Sequence, residues 1–210
     1  MKWNPKPIWE GEDVFVIGGG PSLRAFRFDR LKPYLTVGCN DAYLLGEEIC
    51  NICVFGDLKW YMKNKSGLEK FAGLVVTNQP SLHVRSPDWL RTMSRVPNGL
   101  SSTGLSWNGN TGAMAINLAL ILGAQRVFLL GIDLKLHGKK ANWHDNHQKK
   151  SSTAGWVGPF RRFRAGFRSV AKALPVTFPG KEVINLGPDS TLDIFPKACL
   201  DDFVKGDISE

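Results

Sequence analysis

The run "GNTGAMAINLALILGAQRVFLLGID", residues 109–133, limits the fold more than any other stretch of the chain. Beyond its first turn, the helix expected over residues 111–122 is apolar on every side except at Asn117. A helix with no polar face has to be covered all round. Gly123 stands where a left-handed residue ends such a helix. The strand expected next, "RVFLLGID" (126–133), is continuously apolar instead of alternating, as a strand covered on both faces is. A buried helix feeding a doubly covered strand is the signature of a parallel sheet flanked by helices. A membrane span is excluded for this run, because about 20 consecutive apolar residues are needed to cross a bilayer.

The rest of the chain repeats that alternation. Strands are expected at residues 14–17, 35–40, 52–55 and 73–78, and again at "KEVINLGPDS". Helical character lies between them: residues 22–31 behind Pro21, with Ser22 as N-cap, then "DAYLLGEE", "LKWYMKNKSGLEKF", residues 158–174 and the terminal "TLDIFPKACLDDFV". The expected architecture is α/β, a Rossmann-like, mostly parallel sheet of about six strands with helices on both faces. Residues 1–210 are expected to form a single domain of this kind. Residues 79–110, rich in Pro, Ser, Asn and Gly, form an irregular insert, and residues 135–155 form a His-rich loop. Long loops of this sort serve as lids or binding segments. Ligands of such sheets sit beyond the carboxyl ends of the strands, here at stretches rich in Gly, Asn, Asp and Ser.

The formal net charge of +8 favours an anionic partner: a nucleotide, a phosphosugar, nucleic acid or an acidic surface. The amino-terminal "MKWNPKPIWEGED" lacks the apolar region of a signal peptide, so a cytoplasmic protein is expected. Four cysteines have no disulfide-framework spacing, and Cys50 and Cys53 read as buried free thiols in a strand-like run, with no second pair to complete a zinc site.

The motif "DVFVIGGGPSL" delivers a strand into Gly18, Gly19, Gly20, Pro21 and Ser22. It lacks the lysine of an ATP-type phosphate loop, and Leu23 replaces the third glycine of a dinucleotide fingerprint. Bare backbone ahead of a helix still suits an anion. "GCNDAY" puts the Asn40 amide at the end of the second strand, where it contacts a base or ribose or simply caps the following turn. "SSTGLSWNGNTGAMA" brings Thr111 and Gly112 to a second helix start. His137, His144 and His147 lie within eleven residues of one another, with Asp145 between the last two and Asp133 at the end of the strand before them. His144 and His147 therefore read as general base or substrate contacts, and their spacing fits no standard metal set. In "FRRFRAGFR", Phe160, Phe163 and Phe167 form a packing stripe, and Arg161, Arg164 and Arg168 form an adjoining stripe suited to phosphates or to a solvated face.

The ordered set "VFVIGGGPSL", "CNDAY", "FGD", "NTGAMAINLALILGAQRVFLLGIDL", "WHDNH" and "VINLGPDSTLDIFPK" resembles the MptE-like group, which includes archaeal 6-hydroxymethylpterin diphosphokinases and bacterial and phage proteins. It is also similar to the family 42 bacterial sialyltransferases, which use CMP-sialic acid. The second resemblance implies nucleotide contacts from Gly19, Gly20 and Ser22, from Asn40, and from Thr111 and Gly112. "WVGP" places Pro159 where that family has its base histidine, so the role passes to His144 or His147, with Asp133 beside them. The first resemblance implies ATP and Mg²⁺, with Asp57 and Asp133 as the carboxylates. The leading expectation is a transferase using a nucleotide-sugar donor, without a required cofactor. The alternatives are the Mg²⁺-dependent diphosphokinase and a basic nucleotide- or nucleic-acid-binding accessory protein. The acceptor remains open among saccharides, small metabolites and modified DNA, an anionic one being favoured by charge, and a homo-oligomer is compatible with the fold.

Overall fold

The computed structural model describes residues 2–144 and 154–204. Its centre is a seven-stranded sheet of β1 (Asp13–Ile17), β2 (Leu35–Cys39), β3 (Ile52–Phe55), β4 (Leu74–Thr77), β5 (Leu90–Thr92), β8 (Arg126–Leu130) and β9 (Glu182–Asn185). The spatial order is β5-β4-β3-β2-β1-β8-β9, and every pairing is parallel. The chain walks outward from β1 to β5, then returns to lay β8 on the other side of β1. The crevice between β1 and β8 is therefore the topological switch point, where sheets of this kind bind ligands.

Side-chain alternation divides the sheet into two faces. Val14 and Val16 of β1 point to the side covered by α2 (Thr111–Ile121) and α3 (Ala154–Thr177). Phe15 and Ile17 point to the other side, covered by α1 (Leu58–Glu69), short 3-10 turns and the carboxyl-terminal segment around Phe203. At the amino ends of β1 and β8, which pair Asp13 with Arg126, a two-pronged ion pair at 2.7 and 2.6 Å fixes the register.

Every residue of α2 after Thr111 is buried, including Asn117. Asn117 sits in this apolar helix because the insert needs it. Its Oδ1 accepts from the Ser106 N–H at 3.1 Å, and its Nδ2 donates to the Ser101 carbonyl at 2.7 Å. Asn117→Leu leaves both backbone groups without their partner. It is expected to cost about 2 kcal/mol, read from the urea midpoint, with early proteolysis within residues 79–110.

Four expectations are corrected. Residues 79–110 are not irregular throughout: β5 extends the main sheet, while β6 (Arg95–Val96) and β7 (Leu105–Ser106) form a two-stranded sheet of their own. Residues 22–31 form two 3-10 turns, Pro21–Ala25 and Phe28–Leu31, because Phe26 and Arg27 are extended. The terminal stretch is helical only over Leu200–Asp202; ahead of it, Asn185 exchanges backbone hydrogen bonds with Pro196 and Ala198 at 2.8 and 3.2 Å. Finally, α3 starts earlier than the expected residue 158 and carries Pro159 and Pro175 within it. No helix among the described residues is long and apolar enough to cross a membrane.

Candidate active site

The three glycines have a geometric explanation at the switch point. The Gly18 N–H donates to the Leu130 carbonyl at 2.8 Å, and the Gly20 N–H donates to the Gly131 carbonyl at 2.7 Å. A Cβ on Gly20 would lie 2.6 Å from both the Gly131 oxygen and the Asp133 carboxyl carbon. A Cβ on Gly18 would meet the Gly131 oxygen and stand 2.5 Å from Ile132 Cδ1. Gly19 faces the other way, toward the Asn142 side chain. The loop is bare chiefly because the end of β8 lies against it.

Ser22 does not cap the turn; Gly20 holds the cap position. The Ser22 N–H donates to Asp133 Oδ2 and its hydroxyl donates to Asp133 Oδ1, both at 2.7 Å. Asp133 is buried, so the anion at this turn is the protein's own carboxylate. Its backbone is gripped in turn: the Thr191 N–H donates to the Asp133 carbonyl at 2.9 Å. The Thr191 hydroxyl reaches the Asp133 and Leu134 carbonyls, both at 3.1 Å. Leu134 is held at a φ of 50°, unusual for a residue with a side chain.

Beside this loop, Asn40 also has a left-handed backbone, with φ 51°. Its carbonyl accepts a contact from the Cys53 thiol at 3.4 Å. The Thr111 hydroxyl reaches Asn40 Oδ1 at 3.5 Å, joining the end of β2 to the start of α2. Asn110, not Thr111, caps α2, accepting from the Ala113 N–H at 2.7 Å. Gly112 serves packing: a Cβ there would stand 3.0 Å from Ile132 and 3.2 Å from Phe167.

The described start of the His-rich segment, up to His144, meets the glycine loop. The Trp143 N–H donates to the Gly19 carbonyl at 3.0 Å, and its indole N–H donates to the Gly18 carbonyl at 3.1 Å. His144 points inward: Nε2 stands 3.3 Å from Asp41 Oδ2, with the two side chains 9% and 2% exposed. The other Asp41 oxygen accepts from the Trp60 indole at 3.1 Å. Asp41 is a site residue whose one signal in the sequence is its place next to Asn40. His137 is exposed in a turn closed with Lys140, and His147 and Asp145 lie outside the described residues.

The remaining residues do not converge on this point. Asp57 caps α1, accepting from the Trp60 N–H at 2.9 Å. It follows β3, three strands from β8, and at the usual spacing between strands that is about 14 Å from Asp133. Arg164 braces the turn beneath Asp133, with one nitrogen 2.7 Å from Asp193 Oδ1 and another 2.5 Å from the Thr191 carbonyl. Arg161 and Arg168 are exposed. Among the described residues no three His, Cys, Asp or Glu side chains gather into a metal-binding group. Cys50 and Cys53 are buried free thiols, and burial pushes Cys50 up to about 12.

No family model matches the chain, and no curated protein matches it. Solved structures do. The sialyltransferase CstII from Campylobacter jejuni, in complex with the substrate analogue CMP-3FNeuAc, matches with a TM-score of 0.53 over 93% of this chain and 89% of that one, at 15% identity. The same enzyme in complex with cytidine-5'-monophosphate matches with a TM-score of 0.52 over 90% of this chain and 86% of that one, at 15% identity. The chain shares its fold with a bacterial sialyltransferase. At this identity the likeness concerns the arrangement of strands and helices, and the side chains have to be judged from this molecule alone.

Proposed function

We propose that the chain is a glycosyltransferase that takes its sugar from a cytidine nucleotide donor. The observation that carries this reading is the Asn40–Thr111 junction. A strained asparagine and a hydroxyl meet at the carboxyl end of β2, one strand from the switch point, on the fold of an enzyme solved with CMP. Backbone held in a disfavoured region persists where the surroundings fix it, and such positions cluster at functional sites.

In this reading, Asn40 and the outer edge of the Gly19 loop hold the nucleotide, and Thr111 at the positive end of α2 faces the departing phosphate. An acceptor hydroxyl attacks the anomeric carbon, the bond from that carbon to the phosphate oxygen breaks, and the nucleoside monophosphate leaves with the bond's electrons. The hydroxyl proton passes to His144, whose imidazole is oriented by Asp41. Asp133 keeps the loop in shape and stays out of the chemistry. The exposed Arg161 and Arg168 are left for the acceptor or for solvent.

The diphosphokinase alternative would place Mg²⁺ on Asp57 and Asp133. Their separation is too wide for one ion to bridge them, and Asp133 already accepts two hydrogen bonds. Thermal shift separates the readings. CMP without metal is expected to raise Tm by several degrees at a hundredfold excess over its Kd, with UDP weaker. A response confined to Mg²⁺-ATP, or to DNA and lost steeply with salt, would overturn the proposal.

A further inference from the structure

The insert builds a second surface at the carboxyl ends of β3 and β4. Asn78 follows β4; its buried side chain donates to the Leu105 carbonyl at 2.9 Å, anchoring β7 there. Gln79 Nε2 donates to the Gly56 carbonyl at 3.1 Å. Gly56 is a glycine because the edge of the Trp107 ring occupies the place of its Cβ. The Arg95 guanidinium lies over Trp107, 5.1 Å from the ring centroid, with one nitrogen 3.4 Å from Asn78 Oδ1. Two extra strands and a buried asparagine thus hold one arginine over one indole.

That arginine is unbalanced. Among the described residues no carboxylate forms an ion pair with it. Burial alone pulls its pKa down, with no acid to offset it. A second cation lies on this side: burial first, then the Lys2 and Arg95 charges, push the His83 imidazole down, against a hydrogen bond with the Met93 backbone. A guanidinium partly desolvated by stacking, with a neutral amide and an indole as its contacts and no carboxylate partner among the described residues, gains most from an anionic ligand. The indole beside it supplies an apolar, polarisable surface for the rest of that ligand. Asn78 is two strands from Asn40, about 10 Å at the usual strand spacing, which leaves room for one sugar ring between the donor junction and the arginine.

We propose that Arg95 on Trp107 is the acceptor subsite, and that the acceptor is a saccharide bearing a carboxylate or phosphate. The subsite explains what the insert is for: it carries the side chains that select the acceptor and sets them at a fixed distance from the nucleotide. This assignment rests on the glycosyltransferase reading for the word acceptor, but the anion-selective surface stands on its own geometry.

The test is a binding measurement by ligand-observed NMR at low salt, using methyl β-glucuronide against methyl β-glucoside, which differ only in the carboxylate. The chain is expected to bind the glucuronide about tenfold more tightly, the effect of one charge-assisted contact. Arg95→Gln should abolish the preference while leaving the CMP affinity unchanged within about twofold, the subsites being independent. Arg95→Lys, which keeps the charge and loses the planar fork, should retain a preference of about threefold. Equal binding of the two glycosides by the unmodified chain, or a full preference in Arg95→Gln, overturns the proposal. A chain that binds no CMP yet prefers the glucuronide through Arg95 overturns the donor reading and leaves the subsite standing.

Discussion

Gly20→Ala is expected to cost about 3 kcal/mol or more, the upper range for overpacking a rigid site, whereas Gly19→Ala next to it should cost less than about 1 kcal/mol. The contrast follows from what each new methyl group meets. At Gly20 the obstacles are the Gly131 carbonyl and the Asp133 carboxyl group, both 2.6 Å from the added carbon. Neither can retreat: the carbonyl already accepts the Gly20 N–H, and the carboxylate is held by Ser22. At Gly19 the nearest atom among the described residues is Asn142 Oδ1 at 3.0 Å, the tip of a side chain that can turn away. Backbone conformation is not the issue, since Gly20 has φ −62° and ψ 148°, values open to alanine. Urea unfolding of the two variants measures the difference directly. Equal midpoints would show that β1 and β8 can spread at their carboxyl ends, and would undo the account of why the loop is bare.

The same loop marks the limit of what the sequence could say. "GGGPS" reads as bare backbone suited to an anionic ligand, whereas the close neighbours found at Gly18 and Gly20 are the Gly131 carbonyl, Ile132 and Asp133. What approaches was not legible: Asp133 lies far along the chain, and its contact with Ser22 exists only once β8 is placed beside β1. The central strands and α2 were legible because full burial leaves an unbroken apolar signal, as in "RVFLLGID". β5 was missed for the opposite reason: Leu90–Thr92 is a short edge strand with an exposed Arg91 at its centre, too short for a periodic signal. Residues 22–31 misled because helix propensity ignores Phe26 and Phe28, whose rings pack edge to face at 5.3 Å with Trp143 beyond them. Arg164 was readable as a cation on a helix stripe, but its partners, Asp193 and Thr191, are set by a turn that sequence spacing does not encode.

His144→Ala is expected to lower acceptor-dependent release of CMP from a CMP-sugar by about 100-fold or more, the usual contribution of a general base, while the Kd for CMP changes by less than about threefold. The split matters because His144 has two connections. Through Asp41 it lies beside Asn40, where chemistry is proposed; through Trp143 it belongs to the segment seated on the Gly18 and Gly19 carbonyls. A base acts in the transition state and leaves nucleotide affinity alone. A latch that seats Trp143 would instead change affinity and Tm together with the rate. Asp41→Asn separates the two further. It keeps the shape of the buried side chain and an acceptor for the Trp60 indole, but removes the charge that stabilises a protonated imidazole. It should therefore lower the rate by about tenfold or more with CMP affinity unchanged. If His144→Ala keeps full turnover, the base lies elsewhere and the buried pair is structural. If rate, affinity and Tm fall in proportion, the pair works by holding Trp143 over the glycine loop, and the proton has another destination.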